Sequence, residues 1–203
     1  MKSLIGTIIS VAVAATLAAH TVGPMLRNWS NSHGGEALAQ PTGTNCQVSD
    51  PGFSPEGSAT ALVNQAIDSA QHTIRLAGYS FNSRDIVARL IAAKRRGVDV
   101  QVVVDMKNNL IEDRTGHARA ALNHLVAAAI PTRTIDAYRI HHDKYMVIDG
   151  QDIQTGSFNY TEAAERYNSE NALVVWNCPA KAQQYLTHWQ SRWEQGADYR
   201  SAY

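Results

Sequence analysis

Between residues 59 and 194 the apolar positions of the chain switch repeatedly between a helical and a strand rhythm. Leu62, Val63, Ala66 and Ile67 recur at three- and four-residue intervals, which predicts a helix over residues 59–70. Residues 73–81 (TIRLAGYSF) read as a strand. Ser83 is suited to cap the helix that follows over residues 84–96, where Ile86, Val87, Leu90 and Ile91 share a face and Gly97 supplies the stop. Residues 98–105 (VDVQVVVD) form a nearly continuous β-branched run, the pattern of a strand covered on both faces. A helix over residues 117–129 ends before Pro131, and short strands are expected at 132–138 and 144–148. After the Asp149-Gly150 turn come strands at 153–156 and 172–176, then a last helix over 179–194 with Pro179 in its first turn. The alternation predicts an α/β domain over residues 58–203, a mixed, largely parallel sheet flanked by helices. No internal repeat is visible, so any motif occurs once per chain.

The beginning of the chain departs from this rhythm. Lys2 precedes an uncharged apolar run over residues 4–19, the layout of an export signal. Ala37-Leu38-Ala39 has the small-residue pattern of a cleavage site but lies far from that run, so residues 1–39 read as a signal peptide or as an uncleaved N-terminal anchor. Residues 40–57, rich in Gly, Ser, Asn and Pro, read as a linker and irregular lead-in. Export places Cys46 and Cys178 where a disulfide can form, although two unpaired small apolar residues fit the sequence equally. A periplasmic or secreted location, with membrane anchorage as the variant, is the expectation.

Charge narrows the function classes. With 18 basic and 18 acidic residues the chain is formally neutral, which argues against a broad surface for coating nucleic acid and leaves room for a local basic cleft. Arg84, Lys94, Arg95, Arg96, Lys107, Arg114 and Arg119 are the candidate cations for one. No His-Glu-x-x-His, Cys/His cluster or calcium-loop spacing is present, so neither a metal nor another cofactor is expected. His117 and His124 read as surface or cleft residues, with nucleic-acid contact the lesser alternative, and Asp105, at a strand end where open α/β sheets place ligands, reads first as a turn or cap.

The chemistry concentrates between residues 141 and 171. On a strand His142 and Lys144 share a face, which sets a nucleophile beside a fixed cation. An imidazole can attack phosphorus while the ammonium neutralises charge on the non-bridging oxygens. Ser157 and Asn159, again two apart, can donate to those oxygens, and Glu170 can hold the second imidazole nitrogen.

The pattern His142-x-Lys144 with Asp149, followed by Gly156-Ser157-x-Asn159 and Glu170, resembles the HKD motif of the phospholipase D superfamily. The likeness extends from residue 59 to the end of the chain, through Tyr79-Ser80-Phe81 and His188-Trp189-Gln190-Ser191-Arg192-Trp193, and is nearest to the single-motif bacterial endonucleases of conjugative plasmids, which resist EDTA. It implies a covalent phosphohistidine on His142, catalytic roles for Lys144, Ser157, Asn159 and Glu170, and for Asp149 a place in the motif that is more often structural. One imidazole cannot both attack and protonate the leaving oxygen, so the resemblance also implies a homodimer with a shared active site. The expected substrate is nucleic acid, DNA or RNA without sequence preference. A phospholipid substrate and a non-catalytic phosphate-binding protein are the alternatives.

Overall fold

The computed structural model of the chain describes residues 46–201. The expected signal or anchor over residues 1–39 and the first six residues of the expected linker lie outside the described residues. The elements run β1 (Gln47–Val48), β2 (Gly52–Ser54), α1 (Ser58–Ser69), β3 (Thr73–Gly78), α2 (Arg84–Arg95), β4 (Asp99–Asp105), a π-helical turn (Lys107–Glu112), α3 (His117–Ala127), β5 (Thr132–Ile135), β6 (Lys144–Ile148), β7 (Asp152–Gly156), α4 (Glu162–Arg166), β8 (Glu170–Trp176), α5 (Pro179–Gln195) and β9 (Ala197–Asp198).

All nine strands join one mixed sheet, ordered β1-β8-β7-β6-β3-β4-β5-β9 with β2 also on β8. Only β3, β4 and β5 are parallel neighbours, joined by helical crossovers. The sheet is therefore less parallel than the alternation predicts. Asp149 and Gly150, both at positive φ, turn β6 straight back into β7, and so tight a connection can only join antiparallel strands.

Each face of the sheet carries its own core. Alternate side chains Val100, Val102 and Val104 of β4 pack under α1, α2 and α3 with Val63, Ile67, Ile86, Leu90, Leu122 and Leu125. The intervening Val103 joins Ala77, Val147 and Ile153 beneath Ala182 and Trp189 of α5. Burial on both faces accounts for the unbroken β-branched run of β4. Ser83 caps α2 by accepting from the Ile86 N–H at 3.1 Å, and Gly97 follows it at φ +97°, both as the sequence predicts.

The expected linker is partly built into the sheet. Gln47 and Val48 pair with Trp176 and Val175, and Gly52 to Ser54 pair with Ala172 to Glu170. Cys46 is bonded to Cys178, with Cα atoms 4.7 Å apart. The disulfide resolves the alternative left open by the sequence and fastens this short, weakly apolar segment to the domain.

Candidate active site

Two chain segments leave the sheet side by side and bring the motif histidine to an aromatic neighbour. Gly78, the last residue of β3, stands opposite Lys144, the first of β6. Tyr79 just beyond β3 therefore meets His142 just ahead of β6, their ring centroids 4.7 Å apart. His142 lies in the approach to the strand rather than within it. Lys144 still keeps to its side: Nζ donates to the His142 carbonyl at 3.0 Å and lies 5.1 Å from the Tyr79 ring centre. His142 is exposed, whereas Lys144 is only 9% exposed. Burial pushes the Lys144 ammonium below the ordinary lysine range, and the carboxylates of Glu170 and Asp143 draw it part of the way back.

The approach segment is braced from beneath. Asp105, 2% exposed at the end of β4, accepts from the backbone N–H groups of His141 and Asn108, both at 2.7 Å. Asn109, buried in the π-helical turn, donates to the carbonyls of Tyr79 and Asp105 at 2.7 Å and accepts from the Phe81 N–H at 2.9 Å. Together they fix the backbone on both sides of the Tyr79–His142 contact. Asp105 is thus more than the turn or cap residue read from sequence. The available signal was its place at the carboxyl end of a parallel strand, where open α/β sheets hold their sites. Nothing in the sequence singled out Asn109.

The second arm leaves β7. Gly156 sits at φ +155°, and a Cβ there would lie 2.2 Å from the Asn171 carbonyl oxygen, so only glycine fits. Ser157 follows, donating to Glu170 Oε2 at 2.7 Å and accepting from the Asn171 N–H at 3.0 Å. Asn159 is half-buried, and its Oδ1 has no hydrogen-bond partner among the described residues. The other Glu170 oxygen accepts from Asn168 Nδ2 at 3.0 Å. Within one chain Glu170 is therefore engaged by Ser157 and Asn168, not by the His142 imidazole that the sequence reading assigned to it, and its charge bears on Lys144 instead.

Asp149 is not brought to this site. It lies beyond the far end of β6, where its carboxylate accepts from the N–H groups of Gln71, His72 and Thr73 at 2.7–2.8 Å. Burial alone would raise its pKa, but these three donors and His72 together hold it below the ordinary carboxylate value. The spacing of the motif spans a whole strand, so its acid closes the loop between α1 and β3.

Beside His142 is a second set of polar groups. His141 is buried, with Nδ1 3.4 Å from Asp143 Oδ2, and burial pushes its pKa down against the pull of Asp143 and Asp105. His188 of α5 places Nδ1 2.8 Å from the Tyr145 hydroxyl and 3.9 Å from the same Asp143 oxygen. Elsewhere, His117, His124 and Arg84 line a cleft of about 490 Å³ between α2 and α3. Of the candidate cations, Arg96 points at the carbonyls closing α1, Arg119 donates to the Leu110 carbonyl at 3.0 Å, and Lys107 pairs with Glu112 at 3.4 Å. Among the described residues no three His, Cys, Asp or Glu side chains are arranged to hold a metal ion.

Known proteins match this architecture. Residues 63–193 fit the family model of the "Cardiolipin synthase, PLD-like domain". Nuc of Salmonella typhimurium, a phospholipase D family member of known structure, is 50% identical, and the match covers 77% of this chain and 100% of Nuc with a TM-score of 0.74. NucT of Helicobacter pylori shares the fold at a TM-score of 0.63 and 20% identity, over 76% of this chain and 100% of that one. The phospholipase D of Rickettsia bellii is 33% identical over 140 residues, covering 69% of this chain and 66% of the relative's own length.

Proposed function

Because the chain belongs to the family of phospholipase D-like domains, we propose that it is a metal-independent endonuclease, cutting DNA or RNA without sequence preference through a covalent phosphohistidine on His142. The observation that carries this reading is the exposed His142 imidazole held against the Tyr79 ring, with the buried Lys144 ammonium bonded to the His142 carbonyl beside the same ring. The imidazole attacks phosphorus, a P–N bond forms, and the P–O bond to the leaving group breaks. Lys144, with Ser157 and Asn159 on the neighbouring arm, meets the charge gathering on the non-bridging oxygens. The leaving oxygen needs a proton and the second step needs an activated water. A second His142, from another copy of the chain in a homodimer, supplies both. Identity of 50% to Nuc supports the nuclease reading over the whole of Nuc's length.

A lipid substrate is the competing reading, favoured by the names of the Rickettsia relatives. The disulfide between Cys46 and Cys178 supports an oxidising, extracytoplasmic location. The deciding experiment incubates the protein with single- and double-stranded DNA, RNA and phosphatidylcholine vesicles in excess EDTA, beside a His142→Ala control. Nucleic-acid cleavage by the wild type alone is expected. Choline release without nucleic-acid cleavage would transfer the site to the lipid reading.

A further inference from the structure

On the α5 face of the sheet, with His142 at its rim, lies an open pocket of about 460 Å³. Its walls include Asp143, Lys144, Thr155, Gln184, Tyr185 and His188. We infer that this pocket is a nucleoside subsite, which takes the nucleoside on one side of the scissile phosphate and receives its base against the rings of Tyr185 and His188. The inference rests on the nuclease reading and adds where the polymer is gripped.

Position comes first. A group bonded to a phosphorus under attack by His142 is within reach of the pocket, because the nucleophile is one of its walls. The rings are also set in advance. Tyr185 and His188 stand three residues apart on α5 and so face the same way. Tyr185 packs edge-on to Tyr145 with centroids 4.9 Å apart, and the His188 ring is tilted against it at 5.9 Å. Below them Trp189 pins α5 to the sheet by donating to the Leu76 carbonyl at 2.9 Å. Little freedom remains to be lost when a planar ligand arrives.

The polar groups suit a heterocycle better than the other candidates. The Tyr145 hydroxyl is hydrogen-bonded to His188 Nδ1 at 2.8 Å, which occupies that ring nitrogen. Nε2 is then the polar edge left for an occupant. Asp143 offers a carboxylate, Gln184 an amide and Thr155 a hydroxyl, a mixed set that matches the donors and acceptors of a base. Lys144 is committed to the scissile phosphate, so the Asp143 carboxylate disfavours a second one, and the polar walls do not suit an acyl chain. Stacking on aromatic rings tolerates every base, which agrees with cleavage lacking sequence preference.

The test is a cleavage map of a short oligonucleotide carrying one abasic residue, digested by the full chain in EDTA beside the intact oligonucleotide. The linkage whose pocket-side nucleoside is abasic should be cut about tenfold more slowly than the same linkage in the intact strand. Tyr185→Ala should shrink that penalty to about twofold, whereas Tyr185→Phe should keep it. Each penalty is a ratio within one digest and does not depend on the amount of active enzyme. Should Tyr185→Ala fail to fold, His188→Gln serves as the second variant, with the same shrinkage expected. An even map from the wild type, or a full penalty in the alanine variant, overturns the subsite while leaving the nuclease reading intact. Absence of any nucleic-acid cleavage overturns both. Choline release from phosphatidylcholine vesicles that is lost in Tyr185→Ala assigns the pocket to a quaternary ammonium group and overturns the nucleoside.

Discussion

His142 and Lys144 stand side by side in opposite environments, and the difference sets what each can do. The exposed imidazole is free to meet a substrate, whereas the buried ammonium is a fixed charge whose protonation depends on its carboxylate neighbours. His142→Ala should abolish turnover and leave the unfolding midpoint unchanged, checked by activity and calorimetry on one preparation. Activity should fall on the alkaline side as pH rises through the Lys144 pKa, below the usual lysine value, because only the charged form steadies the phosphate. Glu170→Gln removes the interaction that raises this pKa, so the alkaline limb of the kcat/KM profile should move to lower pH, together with a loss in rate from the loosened Ser157 hydroxyl. Asp149 belongs to stability instead. Its folded pKa is depressed, so its contribution is complete above the unfolded value and is lost as pH falls through the folded one. Asp149→Asn should cost about 2 kcal/mol at pH 7 in urea unfolding, and the gap to the wild type should close in acid. Chemical type and spacing singled out His142, Lys144, Ser157 and Asn159; the structure sets Lys144 beside His142 and puts Ser157 and Asn159 on the segment after β7, outside any strand. Spacing could not tell that five further positions carry Asp149 to the other end of a strand.

Elements with a strong period were read well and the short ones were not. α1, α2, α3 and α5 lie within two residues of their expected limits, since each buries a stripe of apolar side chains. The strand expected over residues 73–81 stops at Gly78, because Tyr79 and the residues after it turn out to be held by Asn109. The π-helical turn, α4, β1, β2 and β9 have no apolar period to announce them; their reasons are tertiary. The π-helical turn sets Asn109 where one side chain satisfies three backbone groups. Asn109→Ala would leave a donor and two acceptors without that partner. A loss of about 2–3 kcal/mol in stability is expected, and at temperatures where the variant remains folded kcat should still drop as the His142 approach loosens. Stability and rate measured on the same sample separate the two effects.

At the scale of the whole molecule, the proposed mechanism with one motif per chain makes activity a property of an assembly. Sedimentation should find a dimer at assay concentration, and specific activity should fall on dilution below its dissociation constant; a fully active monomer would contradict the shared site. The disulfide closes a loop of 132 residues, and in the chain-entropy picture its loss in Cys178→Ser should lower stability by up to about 5 kcal/mol, read as a drop in denaturant midpoint. The same bond also fixes where the preceding chain departs. Cys46 adjoins Gln47, which pairs with Trp176, and Trp176 is at the opposite end of β8 from Glu170. Six residues of extended strand put roughly 20 Å between that exit and the reactive edge. An attachment made at Gln47 would therefore stand clear of the reactive edge by that height of the sheet.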